Sequence, residues 1–192
     1  MCLASELWAG EAFSFEGEFY RFRDAALFPK PVQRPHPPFL LGGGGRGLLR
    51  LAAKHADELN IISPTGKTGY IALAEVSKLT DESFRARVRF VREEAARHGR
   101  DGKAIKISQT IFTPMLTDAP EATHAIAENF GKMLGQGPDA VLRSPLSLIG
   151  TPEECVAELQ RRAREWDVTE TIFAYRSDDV LRRLGEEVLP RV

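Results

Sequence analysis

With 192 residues, 43% hydrophobic and 28% charged, the chain has the make-up of a globular domain that can bury a core. Its 26 Lys and Arg nearly cancel 27 Asp and Glu, which leaves no net field to draw it onto nucleic acid or an anionic membrane, so the expected partner is a small molecule or another protein. Cys2 and Cys155 form no CxxC or Cys/His cluster, which argues against structural zinc and a disulfide-stapled secreted domain and for a reducing cytoplasm. The first residues have no basic or apolar signal region before Glu6 and no run approaches a membrane span, so the expected location is cytoplasmic.

Residues 1–9 read as the end of a helix, with Leu3, Leu7 and Trp8 on one side and Gly10 as its C-cap. Phe13 to Phe15 and Phe19 to Phe22 alternate aromatic with polar residues around Glu16-Gly17-Glu18, a hairpin signal. Five prolines between Pro29 and Pro38 then forbid helix and predict an extended connector. Residues 1–38 are therefore expected to form a helix end, a hairpin and a linker ahead of a regular domain at 39–192.

That domain starts with Pro38 to Leu41, a buried strand ending in Gly42 to Gly45. A helix from Arg46 to Ala56 turns Leu48, Leu49, Ala52 and Ala53 inward. Glu58 to Ile62 is the next strand and Ser63 to Gly69 its loop. The spacing of Phe84, Val88, Val91 and Ala95 predicts one buried stripe on a helix from Asp81 to His98, closed by Gly99. Ile105 to Met115 is a third strand. Pro120 to Leu134 is a helix carrying Ala122, Ile126, Phe130 and Met133 on one face. Thr151-Pro152-Glu153-Glu154 is a capping box with proline at N1, opening a helix to Trp166 with Cys155, Val156, Leu159 and Ala163 inward. Thr169 to Ala174 is a last strand, and Asp179 to Leu189 a terminal helix. This alternation demands right-handed parallel crossovers and so an α/β fold.

In such folds ligands bind at the C-terminal strand ends, where helix N-termini offer free N–H groups. Gly42, Gly43, Gly44 and Gly45 would let backbone approach a phosphate, and Arg46 adds a cation. The loop after the next strand brings the hydroxyls of Ser63, Thr65 and Thr68, with Gly66 and Lys67. Together they describe a divided phosphate cradle. The plainer readings are a tight turn that packs helix on strand and a solvated loop.

Gly42, Gly44 and Gly47 also satisfy G-x-G-x-x-G, leaving open a nicotinamide-binding Rossmann module. That module needs an acid near the end of the second strand, whereas Asp57 and Glu58 stand at its beginning. Gly66-Lys67-Thr68 resembles a Walker A tail, but Ile61 occupies the position of its first glycine. His36, His55, His98 and His124 have no ligand spacing, so no metal site is expected and no catalytic residue is assigned. Ser108 and Gln109 are the polar residues that could reach a barrel lumen.

Pro38 to Arg46, followed by Leu51-Ala52-Ala53 and Ala56-Asp57, resembles the luciferase-like monooxygenase family, and most of all its deazaflavin-dependent branch. Leu7-Trp8-Ala9-Gly10 with Phe15 to Tyr20, Leu79-Thr80-Asp81-Glu82, and Ser144-Pro145 with Leu148 to Glu154 extend the likeness over nearly the whole chain. The resemblance implies a partial TIM-type (β/α) barrel made of about the last four β/α units. It implies coenzyme F420 or FMN as cofactor, held by the phosphate around Gly43, Gly44, Thr65, Gly66 and Lys67, and a flavin- or deazaflavin-dependent oxidation of a small organic substrate. A complete barrel takes ~250 residues, so the strands carrying much of the substrate chemistry are expected to precede Met1. An open half barrel invites a second copy, or a partner completing the barrel. The alternative function is a non-catalytic remnant kept for assembly.

Overall fold

The computed structural model describes residues 3–63, 76–174 and 177–192. Contacts divide the chain into two compact units, residues 1–39 and 40–192.

In the first unit, α1 (Leu3–Ala9) ends where the Gly10 N–H returns to the Glu6 carbonyl at 3.0 Å. Strands β1 (Phe13–Glu16) and β2 (Arg21–Ala25) form an antiparallel hairpin that opposes Phe15 to Phe22 and Glu16 to Arg21. Cross-strand aromatic pairs of this kind are what hold so small a sheet. In the connector, Phe39 stacks on Trp8 at 5.1 Å and meets His36 at 4.7 Å, while Lys30 Nζ donates to the Leu7 carbonyl at 3.0 Å.

The second unit is built on a parallel sheet of β3 (Leu40–Gly42), β4 (Glu58–Ile61), β5 (Lys106–Ile111) and β8 (Val168–Phe173), hydrogen-bonded in that order. The sheet is open, with β3 and β8 as its end strands among the described residues. Two further strands, β6 (Thr113–Leu116) and β7 (Ser147–Gly150), pair in parallel beyond the tip of β5. The expected strand from Ile105 to Met115 is thus two strands meeting at Phe112, each with its own partner.

Successive side chains point to opposite faces of a strand. One face carries Leu59, Ile61 and Ile107, which are buried against α2 (Arg46–His55) and α3 (Asp81–Arg97). Leu49, Ala52 and Ala53 of α2 and Phe84, Val88, Val91 and Ala95 of α3 are buried there, the stripes that the helical period predicted. Each large apolar side chain buried in this layer contributes about 1.5–3 kcal/mol of transfer free energy. Thr80 caps α3 reciprocally with Ser83, and Gly99, at φ +70°, follows its last turn in the left-handed region that glycine tolerates.

The other face is polar. Asn60 Nδ2 donates to Ser108 Oγ at 3.1 Å, Thr110 Oγ1 donates to Asn60 Oδ1 at 3.1 Å, and Lys106 pairs with Glu170 at 2.7 Å. Ser108 and Gln109 therefore part company. Ser108 joins the polar face, while Gln109 lies on the helical side, where Arg162 reaches it.

The remaining helices are α4 (Pro120–Leu134), the short α5 (Pro138–Leu142), α6 (Pro152–Trp166) and α7 (Asp178–Arg183). Two expected faces are corrected. On α4 the buried residues are Thr123, Ala127 and Gly131, whereas Ala122 and Met133 are exposed. Gly131 lies under the turn that closes the helix, where the Gln136 N–H returns to the Gly131 carbonyl at 2.8 Å and a Cβ would meet the Gln136 carbonyl at 2.5 Å. On α6 Ala163 is exposed and the inward positions are Arg162, which a cluster of polar partners receives, and Trp166, which packs in the apolar layer with its ring 4.9 Å from that of Phe84. Thr151 and Glu154 form the expected capping box at its start. The terminal helix is α only over Asp178–Arg183 and widens to a π turn over Leu184–Val188, which buries both Leu184 and Val188. Neither α5 nor β7 was expected.

Candidate functional site

Gly42, Gly43, Gly44, Gly45 and Arg46 form the passage from β3 into α2. Parallel pairing sets Gly42 beside Asn60, and the Gly43 N–H donates to the Asn60 carbonyl at 2.9 Å. Ser63 follows the end of β4, the strand next to β3, so the two strands release their C-terminal ends on the same sheet edge. Asp57 and Glu58 stand at the opposite end, with Glu58 paired to Leu40, which removes the acid that a ribose would need at the glycines. Thr65, Gly66 and Lys67 lie outside the described residues.

Three features of this region suit an anion. Gly45 is the N-cap of α2 and brings no side-chain cap, so the first-turn N–H groups keep their free donors and the helix its positive end. Among the described residues a Cβ added at Gly42, Gly45 or Gly47 would meet nothing within 4 Å, whereas one at Gly43 would strike Leu48 Cδ2 at 2.5 Å, so the room lies beside Gly42 and Gly45. Ser63 Oγ is fully buried and has no hydrogen-bond partner among the described residues, a cost that a further acceptor or donor would relieve. The Arg46 guanidinium lies over the Phe90 ring of α3 at 5.3 Å. These donors and this room fit the phosphate of a flavin-type cofactor.

Arg87 is a member of this region that the sequence reading missed. From α3 its Nε donates to the Gly44 carbonyl at 3.2 Å and its Nη1 to the Ser83 carbonyl at 2.9 Å. Among the described residues no carboxylate pairs with it, and burial pushes its pKa below the ordinary arginine value. The signal for it was present. Arg87 borders the buried stripe of α3 and has no acid three or four residues away, whereas Arg85 has Asp81 and Arg97 has Glu94.

The titratable groups elsewhere serve the fold. His55 has its pKa lowered by burial and by Lys54 at the end of α2. Burial pushes the Cys155 thiol up to about 12, so it is a packed hydrophobe and not a nucleophile. No group of three His, Cys, Asp or Glu residues able to hold a metal occurs among the described residues. A cavity of about 420 Å³ lies between α3, α4 and β7, walled by Leu79, Phe130, Leu134, Val141 and Ile149, and the glycine turn takes no part in it.

Comparison with known proteins agrees with the fold. The chain is 33% identical over 126 residues to the FMNH(2)-dependent dimethylsulfone monooxygenase of Pseudomonas putida, covering 66% of this chain and 30% of that protein. It is 24% identical over 201 residues to the F420-dependent glucose-6-phosphate dehydrogenase of Microbacterium testaceum, covering 99% of this chain and 58% of the other. In structure it superimposes on the coenzyme F420-dependent tetrahydromethanopterin reductase of Methanopyrus kandleri with a TM-score of 0.68 at 16% identity, over 97% of this chain and 60% of that one. The chain thus spans less than two thirds of each of these relatives. The family profile described as luciferase-like monooxygenase matches residues 3–170, and the chain belongs to that family.

Proposed function

We propose that this chain is the cofactor-gripping part of a flavin- or deazaflavin-dependent oxidoreductase that acts on a small organic substrate. The observation that carries the reading is the glycine passage into α2, whose N–H groups have no side-chain cap and, among the described residues, open room beside Gly42 and Gly45, at the sheet edge that also bears the Ser63 hydroxyl, unpartnered among those residues. The family and the names of its relatives, one FMNH(2)-dependent and two F420-dependent, support a cofactor with an anionic tail.

In this reading Gly42, Gly43, Gly44, Gly45 and Arg46, with Ser63, Thr65, Gly66 and Lys67, hold the phosphate of FMN or coenzyme F420. Bound in reduced form, such a cofactor supplies hydride transfer or oxygen activation. The protein's share is to fix the tail, orient the ring and exclude water. Residues 1–38 serve as an N-terminal attachment and 39–192 as the barrel half that carries the site.

The open sheet calls for cover along both end strands, which further barrel units, a partner or a second copy would supply. We take a second copy as the form in solution. Light scattering coupled to size exclusion tests this, and a well-behaved monomer opposes it.

The function is tested by titrating the protein with FMN, coenzyme F420 and NAD while following ligand fluorescence, alongside Gly44→Val and Lys67→Ala. Binding of one flavin type, lost in both variants, supports the reading. Binding of NAD alone overturns it in favour of a nicotinamide module, and binding of none in favour of a non-catalytic remnant.

A further inference from the structure

We infer that Arg87 is a positioning residue for the anion site, locking the Gly44–Gly45 peptide so that the loop offers an N–H, and not a carbonyl oxygen, on its open side. The inference rests on the reading of the glycine turn as a phosphate cradle.

A trans peptide is planar and its C=O and N–H point in opposite directions. Arg87 Nε takes the Gly44 carbonyl at 3.2 Å toward α3. The Gly45 N–H, on the same peptide, must then point away from α3. It has no backbone acceptor among the described residues, and the position of a Cβ on Gly45 is open. The donor therefore faces away from α3 just ahead of the first turn of α2, where the described residues give it no backbone acceptor.

Such an orientation is not secured by the loop itself. Glycines on both sides of the peptide remove the Cβ clashes that bar most residues from alternative φ and ψ values, so the peptide can flip at little steric cost. A flipped peptide would present its carbonyl oxygen to the anion, exchanging an attraction for a repulsion. Arg87 opposes the flip with a charge-assisted bond to the carbonyl. Its second bond, from Nη1 to the Ser83 carbonyl, fixes the guanidinium against its own helix, so the clamp does not swing with the side chain. No carboxylate among the described residues neutralises it. The clamp thus also leaves a positive charge next to the turn, whereas the neighbouring Arg85 spends its charge on Asp81 at 2.7 Å.

The test uses inorganic phosphate and the backbone amide resonances of isotope-labelled protein. In the unsubstituted protein the Gly45 and Arg46 amides should shift saturably as phosphate is added. In Arg87→Met the same shifts should need about tenfold more phosphate, the loss of one charge-assisted contact. In Arg87→Lys, which keeps the cation but cannot span both carbonyls, the response should fall between. An unchanged response in Arg87→Met, with the unsubstituted protein responding, overturns the inference and spares the cradle. Silent amides in the unsubstituted protein overturn the cradle and the inference with it. Should thermal melting show Arg87→Met unfolded, Arg87→Lys decides, and a phosphate response equal to the unsubstituted protein's overturns the inference.

Discussion

Trp166 donates its indole N–H to the Asp81 carboxylate at 2.8 Å, joining the last turn of α6 to the first turn of α3. Arg161 donates to the same carboxylate at 3.0 Å and Arg85 at 2.7 Å. Burial pushes the Asp81 pKa up, but the hydrogen bonds from Trp166 and Arg161 and the nearby charges outweigh it and hold the carboxyl below the ordinary Asp value. A carboxyl depressed in the folded state contributes stability that is present above the unfolded value, about pH 4, and is lost as pH falls through the lower folded value. Asp81→Asn should therefore lower the urea midpoint at neutral pH and flatten its decline below about pH 4. Equal acid slopes for both proteins would contradict this.

Arg162 is fully buried, donating to Glu158 at 2.8 Å, Gln109 at 3.3 Å and the Ser144 and Ser147 carbonyls at 3.0 and 2.7 Å. Its ring neighbour is Trp166, with 4.9 Å from the guanidinium to the ring centroid. Removing the cation leaves several acceptors buried without a donor. Arg162→Met should cost about 3–5 kcal/mol of unfolding free energy in urea, and the double variant with Glu158→Gln should cost less than the sum of the two single changes.

Cys155 is 1% exposed, and its thiol is pushed up to about 12 chiefly by burial, with the Glu154 charge adding to it. In a Cys2→Ser background an aromatic disulfide reagent at neutral pH should label no thiol in the native protein and one in denaturant. Prompt labelling of the native protein would contradict the packing of α6.

Gly131 has its Cβ position 2.5 Å from the Gln136 carbonyl, a backbone atom that cannot swing aside. Gly131→Ala should destabilise by about 1–3 kcal/mol, as overpacking does. Gly47→Ala, where a Cβ meets nothing within 4 Å, should raise stability by a few tenths, since alanine favours the helix. Thermal unfolding of the pair distinguishes them, and equal effects would contradict the close fit of the closing turn over Gly131.

What could be read from the sequence is what repeats with a helix or strand period. The α3 stripe of Phe84, Val88, Val91 and Ala95 is buried as its spacing predicted, and the Thr151 to Glu154 box caps α6. The α4 face was misread because apolar residues were counted while Thr123, hydrogen-bonded to Thr117 and Glu154, and Gly131, covered by the closing turn of the helix, were passed over. Arg162 escaped because a buried guanidinium has no periodic signature, and only its carbonyl and amide partners, brought in by the β5 and β7 regions, make it tolerable. At the candidate site the glycine run and the strand ends were legible. The clamp from Arg87 was not, since its partner is a main-chain oxygen 43 residues away.

The central claim is that the turn at Gly42 to Arg46 grips an anionic cofactor tail. The most direct measurement compares FMN with riboflavin, which differ only in the phosphate, by quenching of ligand fluorescence under the same conditions. Loss of two or more charge-assisted hydrogen bonds predicts FMN at least about tenfold tighter. Equal affinity for the two ligands would contradict the claim.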